Sequence, residues 1–122
     1  MKTILVTGTS SGIGNQICIQ AAAMNFRVIS VSRNIEPLKD LGGIESFKLD
    51  ITDKDSVDDF VTNLKNRKIK IDILINNAGY LVSELFSETT YYSFKKTFDV
   101  NVFGLAEITR SLIPIINKDG HV

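Results

Sequence analysis

Short apolar runs alternate with amphipathic stretches along the whole chain. Residues 2–7 contain Ile4, Leu5 and Val6 in succession and stop at Gly8. An apolar run without alternation fits a strand covered on both faces, as in a parallel sheet. Residues 12–24 carry Ile13, Ile17, Ala21 and Met24 at helical spacing, one stripe that predicts a helix. Residues 27–32, with Val28, Ile29 and Val31, predict a second strand. Residues 35–41 predict a short helix or turn, stopped by Gly42 and Gly43, and residues 44–49 a third strand. Thr52-x-x-Asp55 resembles a capping box, opening a helix whose stripe is Val57, Phe60, Val61 and Leu64. Residues 72–76 predict a fourth strand.

From about residue 88 to 117 the pattern is helical again, in one piece or two. Phe94, Phe98, Val102, Leu105 and Leu112 form the stripe expected to cover the sheet, while Val100, Phe103 and Ile113 point elsewhere. Pro114 should kink or end this helix, because it lacks an N–H and clashes with the preceding turn. The order βαβαβαβα predicts an α/β fold: a doubly wound parallel sheet with helices on both faces. Four strands in the order 3-2-1-4 are expected, as one domain over residues 1–122.

Composition narrows the function. Lys and Arg total 14, and so do Asp and Glu, so no global field draws the protein to nucleic acid or to a membrane surface. The apolar run at the N-terminus is too short for a signal-peptide core or a membrane span. The single cysteine, Cys18, forms no internal disulfide and reads as a small buried residue, in keeping with an expected cytoplasmic location. No cluster of residues has metal-ligand spacing.

Chemistry enters between the first strand and the first helix. Gly8, Thr9, Ser10, Ser11, Gly12, Ile13 and Gly14 occupy that turn. Glycines there let the backbone approach a pyrophosphate, and a helix N-terminus offers free N–H groups with partial positive charge. Thr9, Ser10 and Ser11 are expected to add hydroxyl donors. The rival reading is a glycine-rich turn with no ligand. About 20 residues beyond the glycines, NAD sites place a carboxylate for the ribose 2′-OH. Ser32 stands there instead and Arg33 follows, so a 2′-phosphate suits this site better. NADP(H) is favoured and NAD(H) remains possible, because the glycine loop carries no basic residue of its own. The rival reading of Arg33 is a solvated loop residue.

Thr7-Gly8-x-x-x-Gly12-Ile13-Gly14, Asn76-Asn77-Ala78-Gly79 and Asp99-Val100-Asn101 together resemble the fingerprints of the short-chain dehydrogenase/reductase family, in its usual order, over the whole chain. The resemblance implies a Rossmann-like fold. It also implies hydride transfer between a nicotinamide and a small carbonyl or alcohol substrate, in a homodimer or homotetramer. Asp50 would accept a bond from the adenine amino group beside Ile51, or is simply a strand-end turn residue. Asn77, Ala78 and Gly79 would lie against the cofactor, with the Asn side chains bonding neighbouring strands; for Asn76 a structural role is equally open.

By the same resemblance Asn101 is a catalytic residue, holding a water in a proton relay; the rival reading is a polar residue bonding locally inside a helix. The family's Ser and its Tyr-x-x-x-Lys belong on the next strand and helix, beyond Val122. The 122 residues are therefore expected to be the cofactor-binding half, inactive alone. The alternative is a non-catalytic chain that binds a dinucleotide or a partner. Tyr91/Lys95 and Tyr92/Lys96 have Tyr-x-x-x-Lys spacing but precede Asn101, and are expected in solvent without a catalytic role.

Overall fold

A computed structural model describes residues 1–122. Strands β1 (Thr3–Thr7), β2 (Arg27–Ser32), β3 (Ile44–Lys48), β4 (Ile71–Ile75) and β5 (Ile116–His121) form one parallel sheet in the order β3-β2-β1-β4-β5. Helices α1 (Gly12–Ala23), α2 (Lys54–Asn66), α3 (Tyr91–Phe98) and α4 (Leu105–Leu112) connect them. A π-helical segment, Asp99–Gly104, joins α3 to α4. No helix is long and apolar enough to cross a membrane.

The unbroken apolar runs have their expected cause. Successive strand residues point to opposite faces. Leu5, Ile29 and Val31 join a core of 15 buried residues with Val57 and Phe60 of α2 and Ile108 and Leu112 of α4. Ile4, Val6 and Val28 join a second core of 7 with Cys18 and Ala21 of α1. Fully burying an aliphatic side chain of this size contributes about 1.5–3 kcal/mol, so both faces need covering. Burial pushes the Cys18 thiol up to about 11, which leaves it protonated and unreactive.

The structure departs from the sequence pattern at several places. Four strands were expected, and there are five. Helix α4 stops at Leu112, and Pro114 sits in a 3-10 turn, Ile113–Ile115, after which Ile116 is extended. β5 then pairs with β4, at Ile71↔Ile116 and Ile73↔His121, so the β4 edge is not left bare. Asp72 ties the neighbouring strands together, accepting from Thr3 N at 2.7 Å and Asn117 Nδ2 at 2.8 Å. These bonds, the Thr3 one first, hold its carboxyl below the usual carboxylate range.

Helix α1 buries Gly14, Cys18 and Ala21, while Ile13 and Met24 are exposed. Gly14 faces the turn after β1, where a side chain would run into Gly8 O and Asn77 Nδ2 and so has no room. Residues 35–41 form turns rather than a helix, anchored by buried Leu38. Asp53 is the α2 cap, accepting from Ser56 N at 3.2 Å, whereas Thr52 bonds back to Asp50. β4 starts one residue early and ends at Ile75.

In the long helical region Phe94, Phe98 and Val102 are exposed, and Val100 packs against the larger core. A π segment has more residues per turn than an α-helix. A stripe extrapolated through it at 3.6 residues per turn therefore arrives on the wrong face.

Candidate functional site

A groove of about 530 Å³ crosses the C-terminal ends of the strands. The chain steps from β1 outward to β3, then returns to place β4 on the other side of β1, so the groove lies over the switch point where ligands enter such sheets. One wall is the turn between β1 and α1. Gly8 and Gly12 have φ of +69° and +60°, a conformation that favours glycine. Gly8 lies against the backbone of Ala78, and its N–H donates to Val31 O at 2.9 Å. Gly14 is buried beneath the Gly8 carbonyl and Asn77. Nothing stands over the α-carbon of Gly12. Ser11 caps α1 with extended backbone and a hydroxyl that makes no capping bond, which leaves the first N–H groups of the helix open to an anion.

Ser10, Ser11, Ser32, Arg33, Asp50 and Ile51 line this groove together with Gly8 and residues 77–79. Arg33 is exposed and makes no ion pair within the chain. Ser32 is buried and donates to Asn34 O at 2.7 Å. Asp50 accepts from Thr52 N and Oγ1 through Oδ1, at 2.9 and 2.7 Å, which leaves Oδ2 for another donor.

Four residues of the expected glycine loop do not line this groove: buried Gly14, and Thr9, Gly12 and Ile13. Thr9 is 1% exposed and its hydroxyl bonds Ser30 Oγ at 2.7 Å. It ties the loop to β2 and is not a donor to the groove. Gly12 and Ile13 line a separate shallow groove along α1, with the Ile13 side chain in solvent.

The floor is fixed by β1 and β4. Thr7 Oγ1 accepts from Asn77 N at 3.1 Å and Ala78 N at 3.0 Å. Asn77 Nδ2 donates to Thr7 O at 3.1 Å and Gly8 O at 2.9 Å. Asn77 thus bonds the neighbouring strand, whereas Asn76 reaches to Thr109 Oγ1 of α4 at 2.9 Å and leaves its Oδ1 buried without a partner. Asn101 lies in the π segment. Its Oδ1 accepts from Tyr80 N at 2.7 Å and its Nδ2 donates to Tyr80 O at 2.8 Å, locking the loop that follows β4. Each end of that amide makes one main-chain bond, which leaves one lone pair on Oδ1 and one N–H on Nδ2 for a further partner.

The opposite wall is one that sequence alone passes over. Tyr80, Tyr92, Lys95, Lys96, Asp99 and Val100 line it. Lys95 Nζ bonds Asp99 Oδ2 at 2.6 Å, which raises the lysine above its usual range. Lys96 Nζ lies 4.4 Å from the Tyr80 ring centroid, within cation–π distance. Tyr91, Tyr92 and Lys95 are exposed as expected, and Tyr92 and both lysines also border the groove. The available signal was topological: α3 follows β4 and so begins over the same edge of the sheet.

Known proteins carry these features together. A family model described as short chain dehydrogenase matches residues 2–122. A fatty acyl-CoA reductase of Acinetobacter baylyi is 32% identical over 133 residues, covering 99% of this chain and 45% of the relative. The chain spans about half the length of the curated relatives it matches. A short-chain dehydrogenase from Streptomyces avermitilis superimposes with a TM-score of 0.86 at 38% identity, over 93% of this chain and 44% of that one. One from Leptospira borgpetersenii with bound NAD+ gives 0.87 at 28% identity, over 93% and 45%. ElxO with bound NADPH gives 0.81 at 25% identity, over 93% and 49%. Loop, sheet order and a match running almost end to end agree, and this chain belongs to the short-chain dehydrogenase family.

Proposed function

We propose that this chain is the cofactor-binding half of an NADP(H)-dependent oxidoreductase acting on a small carbonyl or alcohol substrate. The observation that carries the reading is Arg33: an exposed, unpaired guanidinium on the groove that the phosphate loop also lines, with Ser32 rather than a carboxylate beside it. A guanidinium fork suits a 2′-phosphate, and a carboxylate would repel one. Solved relatives carry NAD+ in one case and NADPH in another, so family membership leaves the choice to these residues.

The site fits a dinucleotide. Glycine backbone and open N–H groups at the start of α1 would hold the pyrophosphate, with Ser10 and Ser11 adding hydroxyls. Asp50 Oδ2 would take the adenine amino group beside Ile51, and Asn77, Ala78 and Gly79 would support the ribose. When bound, the nicotinamide supplies hydride exchange with the substrate carbon. In this reading Asn101 fixes the Tyr80 loop, and the lone pair and N–H its amide keeps would hold the water of a proton relay. The cytoplasm is the proposed compartment, on the strength of the single buried thiol.

Steady-state kinetics of the complete protein test the assignment. NADPH is expected to exceed NADH in kcat/KM by at least about tenfold, equivalent to roughly 1.4 kcal/mol. The 122 residues alone are expected to show no turnover. Preference for NADH would overturn the cofactor assignment. Turnover by the short chain that disappears in Tyr92→Phe would establish a different active site.

We also propose that the complete protein is a homodimer or homotetramer joined through the α3–α4 region. Phe98, Val102, Phe103 and Ile113 are all more than 40% exposed there, an apolar surface wider than a solvent-facing helix needs. Phe103→Glu is expected to lower the sedimenting mass while preserving the fold. A folded variant with the parent's mass would place the interface elsewhere.

A further inference from the structure

The groove has two walls from opposite faces of the sheet. The α1 turn belongs to the face covered by α1, and the α3–π wall continues into α4 on the other face. A ligand crossing the strand ends is therefore held between the two. On the α3 side the charges are not equivalent. Lys95 is neutralised by Asp99 at 2.6 Å. Lys96 has no acidic partner and rests on the Tyr80 ring, a weak hold that an anion can outcompete. Tyr80 is itself fixed by two bonds from Asn101, so the resting place of Lys96 is rigid even though the lysine stem is not.

Strand order locates this cation relative to Arg33. Arg33 follows β2 and Tyr80 follows β4, with β1 and its phosphate loop between them. Two interstrand spacings separate these strand ends, about 10 Å. A phosphate held by Arg33 is thus at the far side of the groove from Lys96. The loop after β1 is one strand away, and Gly8 touches Ala78, two residues before Tyr80.

We infer that Lys96 is a positioning residue for the dinucleotide pyrophosphate, leaving the Tyr80 ring to close on it from the wall opposite the N-terminus of α1. The inference rests on the dinucleotide reading and extends it to a part of the chain outside the glycine loop. Lys96 contributes charge common to NADPH and NADH, whereas Arg33 distinguishes them.

Calorimetry on the complete protein tests this with NADPH, NADH and 2′-AMP, which keeps adenine, ribose and 2′-phosphate but has no pyrophosphate. Lys96→Met is expected to weaken both dinucleotides by the same factor, about tenfold for one exposed charge-assisted contact. 2′-AMP affinity should not change. The dependence of NADPH affinity on salt should flatten, because one screened charge has gone. Lys96→Arg should retain most of the affinity, and Lys95→Met should lose less than Lys96→Met.

Unchanged dinucleotide affinity in Lys96→Met would overturn the inference. So would a loss confined to NADPH, or one shared by 2′-AMP. An equal loss in Lys96→Arg would mean that packing on Tyr80, not charge, is what matters, and would overturn it too. A parent protein that binds neither dinucleotide would sink the dinucleotide reading itself, a distinct result visible before any variant is made.

Discussion

Arg33→Ala in the complete protein is expected to weaken NADPH about 10- to 150-fold and to leave NADH nearly unchanged. A hydrogen bond to a charged group contributes about 1.5–3 kcal/mol, and each 1.4 kcal/mol is tenfold in affinity. The size of the effect follows from what Arg33 does not do in this fold. It makes no ion pair and is exposed on the groove, so removing it breaks no contact that stabilises the chain. The loss should therefore appear in binding and not in thermal unfolding. Paired titrations with NADPH and NADH read it directly. An equal loss for both cofactors, or a lowered melting temperature, would assign Arg33 a structural role.

Gly8→Ala should do the reverse and damage both fold and binding. Gly8 has φ of +69°, where an L side chain costs about 1–2 kcal/mol. An added Cβ would also lie 2.6 Å from Ala78 Cα and 2.8 Å from Ala78 N, and backbone cannot rotate away as a side chain can. The total loss of stability is expected to be about 3 kcal/mol or more. The displaced loop should also weaken dinucleotide binding, because its backbone no longer meets the pyrophosphate. Gly12→Ala is the matching control. Its φ is +60°, yet nothing lies within 4 Å of an added Cβ, so only the conformational cost remains. Chemical denaturation of the two variants decides the matter. Equal destabilisation would show that the approach of Gly8 to Ala78 is not what limits this position.

Sequence made the order β3-β2-β1-β4 legible because apolar-rich runs alternate with helical patterns, and right-handed crossovers limit how such units wind. It failed on β5. Ile113, Ile115 and Ile116 prolong an apolar pattern that reads as helix, and the strand they lead into is mostly polar. The groove was legible where glycines and strand ends define it, from Gly8 to Asp50 and Asn77. It was not legible where a side chain's direction matters. Thr9 and Ser10 are adjacent hydroxyls, and only the fold shows that one turns inward to Ser30. The α3 wall carried no motif of its own, only its place after β4, and no residue type announces the phase change between residues 99 and 104. Gly104 comes nearest to a signal: a Cβ there would meet Asp99 O at 2.9 Å and Ile51 Cγ1 at 3.0 Å, but glycine inside a helical pattern has many causes.

That phase change also separates two sets of demands on one helical run. The rotation of α4 is dictated by Ile108 and Leu112, which are completely buried. Helix α3 has no buried residue and lines the groove with Tyr92, Lys95 and Lys96. An uninterrupted α-helix would tie one to the other, so that every substitution improving the groove would have to respect the packing three turns away. The π segment shifts the phase between them, so the groove side of α3 and the core side of α4 need not lie on one stripe of 3.6-residue period.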